Sequence, residues 1–261
     1  MLKGKTAIVT GSTSGIGLGI AQKLAGEGCN IIINGFGDKD TIEKERVGIE
    51  KNYKVKCVYL GADISKPAEV EKMIQDAEKE FGGIDILVNN AGIQFVAPLE
   101  EFPLEKWDAI ISTNLSASFY TIKYALAGMK KKQSGRIVNI ASAHGLVAST
   151  GKAAYVAAKH GLVGLTKVVA LEIANHGDIT CNAICPGWVY TPLVEKQIKD
   201  NAAKEGISED KAKEEMLSEK QAVHEFATPE QIAGLVIYLC SDSAKSITGT
   251  TISIDNGWTC Q

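Results

Sequence analysis

The chain has 261 residues, 45% of them hydrophobic and 23% charged, which is enough apolar material to bury a large core. Its formal net charge of -3 at pH 7 gives no electrostatic sign of nucleic-acid binding, so no nucleic-acid partner is expected. No apolar segment approaches the roughly 20 residues that cross a bilayer, and no signal-peptide pattern opens the chain, so we expect a cytoplasmic protein without membrane contact.

Short apolar, β-branched runs alternate with segments of helical period along the whole chain. The runs predicted as strands are 6–10, 30–34, 55–60, 84–89, 136–141, 179–185 and 250–255. Helices are predicted to begin near Gly15, Asp40, Pro67, Leu104, Ala154 and Pro229. This alternation predicts an α/β protein of the Rossmann type, with a doubly wound sheet of seven parallel strands and helices on both faces.

The chain carries no linker, low-complexity tract or repeat that would divide it, so residues 1–261 are predicted to form a single domain. The charged segment 192–220 has a helical period and is inserted between the sixth strand and the last helix. Two interpretations of this segment are open, a solvated helix pair and a mobile lid. We expect a lid, because long insertions at the carboxyl edge of a sheet often close over a ligand.

Six cysteines lie at positions 29, 57, 181, 185, 240 and 260, most of them inside apolar runs. We expect buried thiols and no disulfide framework. Cys181 and Cys185 are four residues apart on a predicted strand, and no histidine cluster accompanies them, so no metal site is predicted.

A glycine-rich turn follows the first predicted strand and leads directly into a helix. A turn without Cβ atoms lets the backbone approach a pyrophosphate, and the positive end of the following helix favours negative charge. An ordinary strand-to-helix turn is the alternative, but the position in the first strand–helix unit favours dinucleotide binding. The turn residues expected at the cofactor are Gly11, Thr13, Ser14, Gly15, Ile16 and Gly17.

The loop after the second predicted strand indicates which dinucleotide binds. It reads Asn34-Gly35-Phe36-Gly37-Asp38, and its first cation is Lys39. A dianionic 2′-phosphate would be poorly compensated there, so we expect NAD in preference to NADP. Gly35 lacks the acidic side chain that commonly binds the ribose 2′-hydroxyl, which makes the preference less secure than the cofactor class.

A serine, a tyrosine and a lysine form the candidate catalytic group. Tyr155 and Lys159 are four residues apart in a helical segment, on one helix face, and Ser142 ends a strand 13 residues before the tyrosine. A free phenol has a pKa near 10, and a neighbouring ammonium lowers that pKa by favouring the phenolate. The alternative is a surface lysine beside a half-buried tyrosine.

These residues, with Asn89-Asn90-Ala91-Gly92, Asn114 and Pro186-Gly187, occur in the order and approximate spacing of the short-chain dehydrogenase/reductase family, which the chain resembles over nearly its whole length. The resemblance implies a nicotinamide-dependent oxidoreductase. It implies that Tyr155 is the general acid/base, Ser142 polarises the reacting oxygen, Lys159 lowers the tyrosine pKa and binds the nicotinamide ribose, and Asn114 holds a water in a proton relay. Further cofactor contacts are expected at Phe36, Asp63, Ile64, Asn90, Ala91, Gly92, Pro186, Gly187, Val189 and Thr191.

Polar residues flank the catalytic positions where the substrate is expected. Converging donors with one positive charge suit a small carboxylate, and an adjacent tryptophan suits a short apolar tail. Taken singly, each could be a solvated or hydrogen-bonded loop residue. Together they resemble the D-3-hydroxybutyrate dehydrogenase subfamily, which implies NAD-dependent oxidation of D-3-hydroxybutyrate to acetoacetate. The expected substrate contacts are Gln94, Ser142, His144, Lys152, Tyr155, Trp188 and Gln197.

Two other functions stay open. Another short-chain reductase could act on a sugar, a steroid or an acyl-carrier thioester, and a catalytically silent NAD-binding regulator could keep the fold without the chemistry, although an intact Ser142, Tyr155 and Lys159 argue against it. The helical segment 155–175 is apolar around much of its circumference, which predicts a second buried face. With the family resemblance, this face implies a homotetramer.

Overall fold

The computed structural model describes residues 2–260, in which strands and helices alternate. The strands are β1 Thr6–Val9, β2 Asn30–Ile33, β3 Cys57–Tyr59, β4 Ile86–Asn89, β5 Ser134–Ile140, β6 Asp178–Pro186 and β7 Thr251–Ile254. The α-helices are α1 Gly15–Gly26, α2 Lys39–Tyr53, α3 Pro67–Phe81, α4 Leu104–Ile111, α5 Ala117–Lys132, α6 Ala153–Ile173, α7 Pro192–Glu205, α8 Glu209–Ser218 and α9 Pro229–Cys240. The seven predicted strands are confirmed, with shifts of one or two residues at most ends.

The strands form one parallel sheet in the order β3-β2-β1-β4-β5-β6-β7. Val9 at the end of β1 lies opposite Ile33 of β2 on one side and Val88 of β4 on the other. The strand order therefore reverses direction between β1 and β4. In a doubly wound sheet, the crevice beyond the carboxyl ends of the strands at this switch point is where ligands bind.

Both faces of the central strands are buried, which explains the apolar runs in β1, β2 and β4. Successive strand residues point to opposite faces. In β1, Val9 packs in one apolar cluster with α1 and α9, while its neighbour Ile8 packs in a second cluster with α3 and α5. The core is thus split into two layers by the sheet, as the alternation of strands and helices predicts.

The helix predicted to begin near Leu104 does begin there, but it is longer and less regular than its period suggested. A π-helical turn, Ser112–Ser116, joins α4 to α5 without a break in the helical path. Short π-helical turns inside α-helices often mark functional positions. The turn places buried Asn114 next to the carboxyl end of β4, where its side chain bonds Ile93.

Residues 192–220 form two helices, α7 and α8, as their helical period predicts. Their apolar side chains form a small cluster separate from the two main layers, in which Val194, Ile198 and Ala212 are buried. Trp188, just before the insertion, packs against this cluster. The insertion therefore has its own core and lies beside the carboxyl edge of the sheet.

Among residues 2–260, no helix combines the length and the apolar character that a membrane span requires. Five of the six cysteines are buried free thiols, as expected, and Cys260 is exposed. Burial raises the pKa of the Cys29 and Cys57 thiols to about 12, so they are neutral packing residues at physiological pH.

Candidate active site

A cavity of about 570 Å³ opens at the carboxyl ends of the strands, at the switch point between β1 and β4. The predicted site residues all line it, with the exception of Gly17 and Asn114. Nearly all the residues predicted from the sequence therefore lie in one crevice. Among the residues that line the cavity but were not predicted from the sequence is Trp258, which follows β7.

The glycine-rich turn has the conformation that its glycines require. Gly11 and Gly15 have positive φ angles of 62° and 57°, in the left-handed region that favours glycine. A Cβ on Gly17 would collide with the carbonyl oxygen of Gly11 and with the side-chain amide of Asn90. Gly17 therefore permits the tight approach of α1 to the turn, which explains why it matters without lining the cavity.

The turn is hydrogen-bonded to the segment after β4, and the first main-chain N–H groups of α1 have no side-chain partner. Asn90 Nδ2 donates to the carbonyls of Thr10 and Gly11, each at 3.0 Å. The N-cap residue of α1, Ser14, makes no side-chain capping hydrogen bond. The first N–H groups of α1 thus point into the cavity end without a side-chain partner, which suits a pyrophosphate.

The loop after β2 is held in place by two side chains. Thr13 Oγ1 donates to the carbonyl of Phe36 at 2.9 Å, and Tyr59 Oη donates to the carbonyl of Gly35 at 2.9 Å. Phe36 is 71% exposed at the cavity rim. The basic residues among the cavity-lining positions are Lys152 and Lys159, which lie around Tyr155 and not at this loop.

Asp38, the acidic residue of this loop, caps the helix that follows it. Its Oδ1 accepts hydrogen bonds from the main-chain N–H and the hydroxyl of Thr41, both at 2.9 Å, so it is the N-cap of α2. It does not line the cavity. Gly35 and Phe36 therefore place no charged side chain at the adenosine end of the cavity. Asp38 does not supply the acidic side chain that commonly binds the ribose 2′-hydroxyl.

The catalytic group is assembled by β5 and α6. Ser142 lies two residues beyond β5, and its side chain is hydrogen-bonded to Tyr155. Lys159 is 3% exposed, and its Nζ donates to the carbonyl of Ile140 at 2.8 Å. The same Nζ lies 5.6 Å from the centroid of the Tyr155 ring. Tyr155 and Lys159 therefore share one face of α6, as their spacing predicts, and both line the cavity.

The direction of the Tyr155 pKa in the protein without cofactor is set by burial, and the expected lowering of that pKa by Lys159 stays a prediction. Burial raises the pKa of Tyr155, and its hydrogen bond with Ser142 opposes that rise only in part. Burial also lowers the pKa of Lys159 to about 8. Taking both groups out of water disfavours the phenolate and the ammonium alike. Lys159 consequently titrates near physiological pH.

Asn114 lies behind the cavity and not in its wall. Its Oδ1 accepts from the main-chain N–H of Ile93, and its Nδ2 donates to the carbonyl of Ile93, both at 2.9 Å. This pair of bonds fixes the segment after the Asn89-Asn90-Ala91-Gly92 motif to the π-helical turn. The side-chain amide of Asn114 is thus occupied in holding the chain.

The predicted substrate residues line the same cavity as Tyr155. Lys152 Nζ lies 5.2 Å from the centroid of the Trp188 ring, and burial lowers the pKa of this ammonium. His144 Nε2 is hydrogen-bonded to Ser149 Oγ at 2.9 Å. Burial, and then the nearby charge of Lys152, lower the pKa of His144 to about 4, so the imidazole is neutral at physiological pH. Lys152 is therefore the cation at this end of the cavity.

Trp258 completes the wall and was missed in the sequence. Its ring packs edge-on against His144 with 5.0 Å between centroids, and it lies 5.8 Å from the Trp188 ring. The available signal was its place just after the seventh strand, since the carboxyl ends of all the parallel strands meet at the crevice. The predicted substrate residues come from the segments after the fourth, fifth and sixth strands, and none comes from the segment after the seventh.

A dinucleotide cleft at the switch point of a doubly wound sheet, with serine, tyrosine and lysine at its inner end, defines the short-chain dehydrogenase/reductases, and the chain belongs to this family of oxidoreductases. The family model that matches residues 11–259 is described as Enoyl-(Acyl carrier protein) reductase.

The chain is similar to two D-beta-hydroxybutyrate dehydrogenases over its whole length. The protein from Cupriavidus necator is 56% identical over 261 residues, which cover 100% of both chains. The protein from Rhizobium meliloti is 55% identical over 260 residues, which cover 98% of this chain and 99% of the relative. Among solved structures, L-sorbose reductase from Gluconobacter frateurii, complexed with NADPH and L-sorbose, matches with a TM-score of 0.94 at 28% identity, covering 99% of this chain and 98% of that one.

Proposed function

We propose that this chain oxidises D-3-hydroxybutyrate to acetoacetate with NAD, by reversible hydride transfer. The observation that carries this proposal is the ammonium of Lys152, held beside Trp188 in the cavity that Tyr155 lines. Full-length identity of 56% and 55% to two D-beta-hydroxybutyrate dehydrogenases supports the same substrate.

The substrate end of the cavity matches a short hydroxy acid. Lys152 supplies the positive charge for a carboxylate, and Gln94, His144 and Gln197 line the same cavity with hydrogen-bonding groups. Because His144 is neutral, it can donate one hydrogen bond without adding a second positive charge. The rings of Trp188 and Trp258 lie close together there and suit a short apolar tail.

The glycine-rich turn would hold the cofactor pyrophosphate, and Lys159 and Thr191 would contact its nicotinamide half. A nicotinamide held there would supply the hydride acceptor for the carbinol carbon. Tyr155 accepts the hydroxyl proton, and Ser142, hydrogen-bonded to the phenol, orients the same oxygen. Lys159 in its charged form stabilises the phenolate that receives this proton.

We assign Asn114 a role in the proton relay through its main chain, because its side chain is occupied by Ile93. A π-helical turn inserts a residue into the helix and so disturbs the regular pairing of main-chain carbonyls. The carbonyl of Asn114 is the group that would hold a water between Lys159 and solvent.

NAD is proposed over NADP because of the loop that carries Gly35 and Phe36. Neither residue offers a cation, and the carbonyls of both already accept hydrogen bonds from Tyr59 and Thr13. A 2′-phosphate placed there would lack a compensating charge. The related L-sorbose reductase was crystallised with NADPH, so the preference varies among proteins that share this fold.

We further propose that residues 1–261 form one catalytic domain, that 192–220 close as a lid over the substrate, and that the protein is a cytoplasmic homotetramer. Val168 and Leu171 on α6 are 51% and 79% exposed, and Phe119 on α5 is 47% exposed. A partner subunit that covered these side chains would bury the second apolar face predicted for 155–175.

NADH formation, measured separately with D- and L-3-hydroxybutyrate, tests the proposed reaction. We expect activity with the D form alone. Activity with neither form, combined with turnover of a sugar, a steroid or an acyl-carrier thioester, would replace the substrate assignment while leaving the family intact. A lack of turnover with every hydroxy substrate would favour the silent NAD-binding regulator.

A further inference from the structure

A buried glutamine joins the end of the helical insertion to the substrate wall. Gln221 follows α8 and is 3% exposed. Its Oε1 accepts a hydrogen bond from the main-chain N–H of Trp188 at 2.9 Å. Its Nε2 donates to the carbonyls of Glu225 at 2.8 Å and Val223 at 3.3 Å. One side chain therefore connects the segment that leaves the insertion to the segment that enters it.

The chain around Gln221 leaves room for its side-chain amide and holds Trp188 from a second side. A Cβ on Gly187 would lie 2.8 Å from Gln221 Oε1, so the glycine leaves the space that the amide fills. Beyond Gln221, the main-chain N–H of Ala227 donates to the carbonyl of Trp188 at 2.9 Å. The main chain of Trp188 is thus held on both sides by residues 221–227.

Trp188 in turn contacts the charged group at the substrate end. Lys152 Nζ lies 5.2 Å from the centroid of its ring. A cation–π contact depends on the ammonium lying over the ring face, so the placement of the ring sets the placement of the ammonium. The ring moves with the main chain that Gln221 holds. Gln221 itself does not line the cavity.

We propose that Gln221 is a positioning residue for the substrate carboxylate, acting through Trp188 on the ammonium of Lys152. It connects the C-terminal end of the helical insertion to the ammonium of Lys152, which binds the carboxylate. This inference rests on the proposed function, because it takes a carboxylate as the group that Lys152 binds.

Steady-state kinetics of a Gln221→Met variant test the inference. Methionine keeps the length of the side chain and removes all three hydrogen bonds. We expect KM for D-3-hydroxybutyrate to rise about tenfold, because a tenfold loss of affinity corresponds to the net contribution of about one buried hydrogen bond. We expect kcat to stay within about twofold, since Tyr155 and Lys159 are untouched. For the uncharged methyl ester of D-3-hydroxybutyrate, kcat/KM should not change, because the ester does not use the ammonium.

A double-mutant cycle with Lys152→Met separates coupling from general damage. If Gln221 acts through Lys152, Gln221→Met should add little to KM in the Lys152→Met background. If the two changes multiply, Gln221 does not act through Lys152, and the inference is overturned.

Asn182→Leu is the matched control. Asn182 is also buried, accepts from the main-chain N–H of Thr250 at 3.2 Å and donates to the carbonyl of Ile247 at 2.7 Å. It loses the same kind of hydrogen bonds at a place away from the cavity. We expect Asn182→Leu to lower the melting temperature and to leave the KM for D-3-hydroxybutyrate unchanged.

A Gln221→Glu variant keeps the inference testable if the methionine variant does not fold. Its carboxylate still accepts from Trp188, but only the protonated acid can donate to Glu225. The ratio of its KM to the wild-type KM should therefore fall as pH is lowered from about 8 to about 6, because burial raises the pKa of a carboxyl group. A ratio that does not vary with pH would count against the inference.

The outcomes separate the two proposals. If the wild-type protein does not oxidise D-3-hydroxybutyrate, the proposed function fails. If it does, and Gln221→Met leaves KM unchanged or lowers kcat/KM equally for the acid and its ester, Gln221 does not position the carboxylate-binding ammonium.

Discussion

Replacing Lys159 by methionine should abolish turnover and, at neutral pH, stabilise the fold. Burial lowers the pKa of this lysine from its ordinary value of 10.5 to about 8. Each pKa unit corresponds to 1.36 kcal/mol, so keeping the buried ammonium charged below pH 8 costs about 3 kcal/mol. Lys159→Met removes that cost but also removes the hydrogen bond to the carbonyl of Ile140, which contributes about 1 kcal/mol. The net gain in the free energy of unfolding is about 2 kcal/mol.

The sign of this effect depends on pH. Below pH 8 the lysine is protonated in the folded and the unfolded chain, and the full cost is present. Between pH 8 and pH 10.5 the unfolded chain binds more protons than the folded one, so the wild-type stability rises with pH. Above pH 10.5 the cost is gone, and only the lost hydrogen bond separates the two proteins. The advantage of Lys159→Met should therefore shrink and then reverse.

Melting temperatures of the cofactor-free proteins, at one protein concentration and several pH values, measure the difference in stability between Lys159→Met and the wild type. A chain of this size shifts by about 2–4 °C per kcal/mol, so we expect Lys159→Met to melt about 4–8 °C higher at pH 7. Lys44→Met, on the exposed face of α2, should show no comparable gain. A lower melting temperature for Lys159→Met at pH 7, or a difference that does not change with pH, would refute the argument that desolvation dominates at this lysine.

Three further expectations follow from the site and the surface. Lys152→Met should raise KM for D-3-hydroxybutyrate by roughly 10- to 150-fold, because it removes a charge-assisted hydrogen bond of about 1.5–3 kcal/mol; an unchanged KM would exclude Lys152 from carboxylate binding. The efficiency of reduction with NADPH should be at least about tenfold below that with NADH, because the lysines that line the cavity in the described residues 2–260 are Lys152 and Lys159, away from Phe36, and equal efficiency would contradict the preference. Leu171→Glu should reduce the mass measured by light scattering, because it charges a side chain that is 79% exposed on α6; a wild-type mass equal to one chain would rule out the tetramer.

The fold was predictable because its signals are local and repeated. Most strands are short β-branched runs buried on both faces, and each helix has its own period, so the order and type of the elements follow from the sequence. The sheet order needs the further rule that sequential parallel strands neighbour each other through right-handed crossovers. The π-helical turn at Ser112–Ser116 could not be foreseen, because its residues fit a regular helix equally well.

The site was predictable where a residue type has one physical reason to stand at a given position. Glycines at 11 and 15 have positive φ angles, and Tyr155 and Lys159 share a helix face. Properties that depend on burial were not predictable: the direction of the tyrosine pKa followed from desolvation, which spacing does not reveal. Contacts between distant segments were missed for the same reason, as with Trp258 beside His144.

Gln221 and Asp38 show that the sequence alone does not reveal which polar side chains serve the site. Gln221 stands among charged residues at the end of a helical segment, where nothing in the sequence separates it from a solvated side chain, yet it is buried and bonded to Trp188. Asp38 stands where a cofactor-binding acid would be useful, yet its carboxylate caps α2. Only the path of the main chain decides which polar residues face the cavity.

Turnover by a Tyr155→Phe variant tests the central chemistry most directly, because the change removes one hydroxyl and leaves the ring. If Tyr155 accepts the hydroxyl proton of the substrate, kcat for D-3-hydroxybutyrate should fall by at least about 10²-fold, while the dissociation constant for NAD stays within about threefold. A variant that binds NAD and turns over D-3-hydroxybutyrate at the wild-type rate would contradict the proposed mechanism.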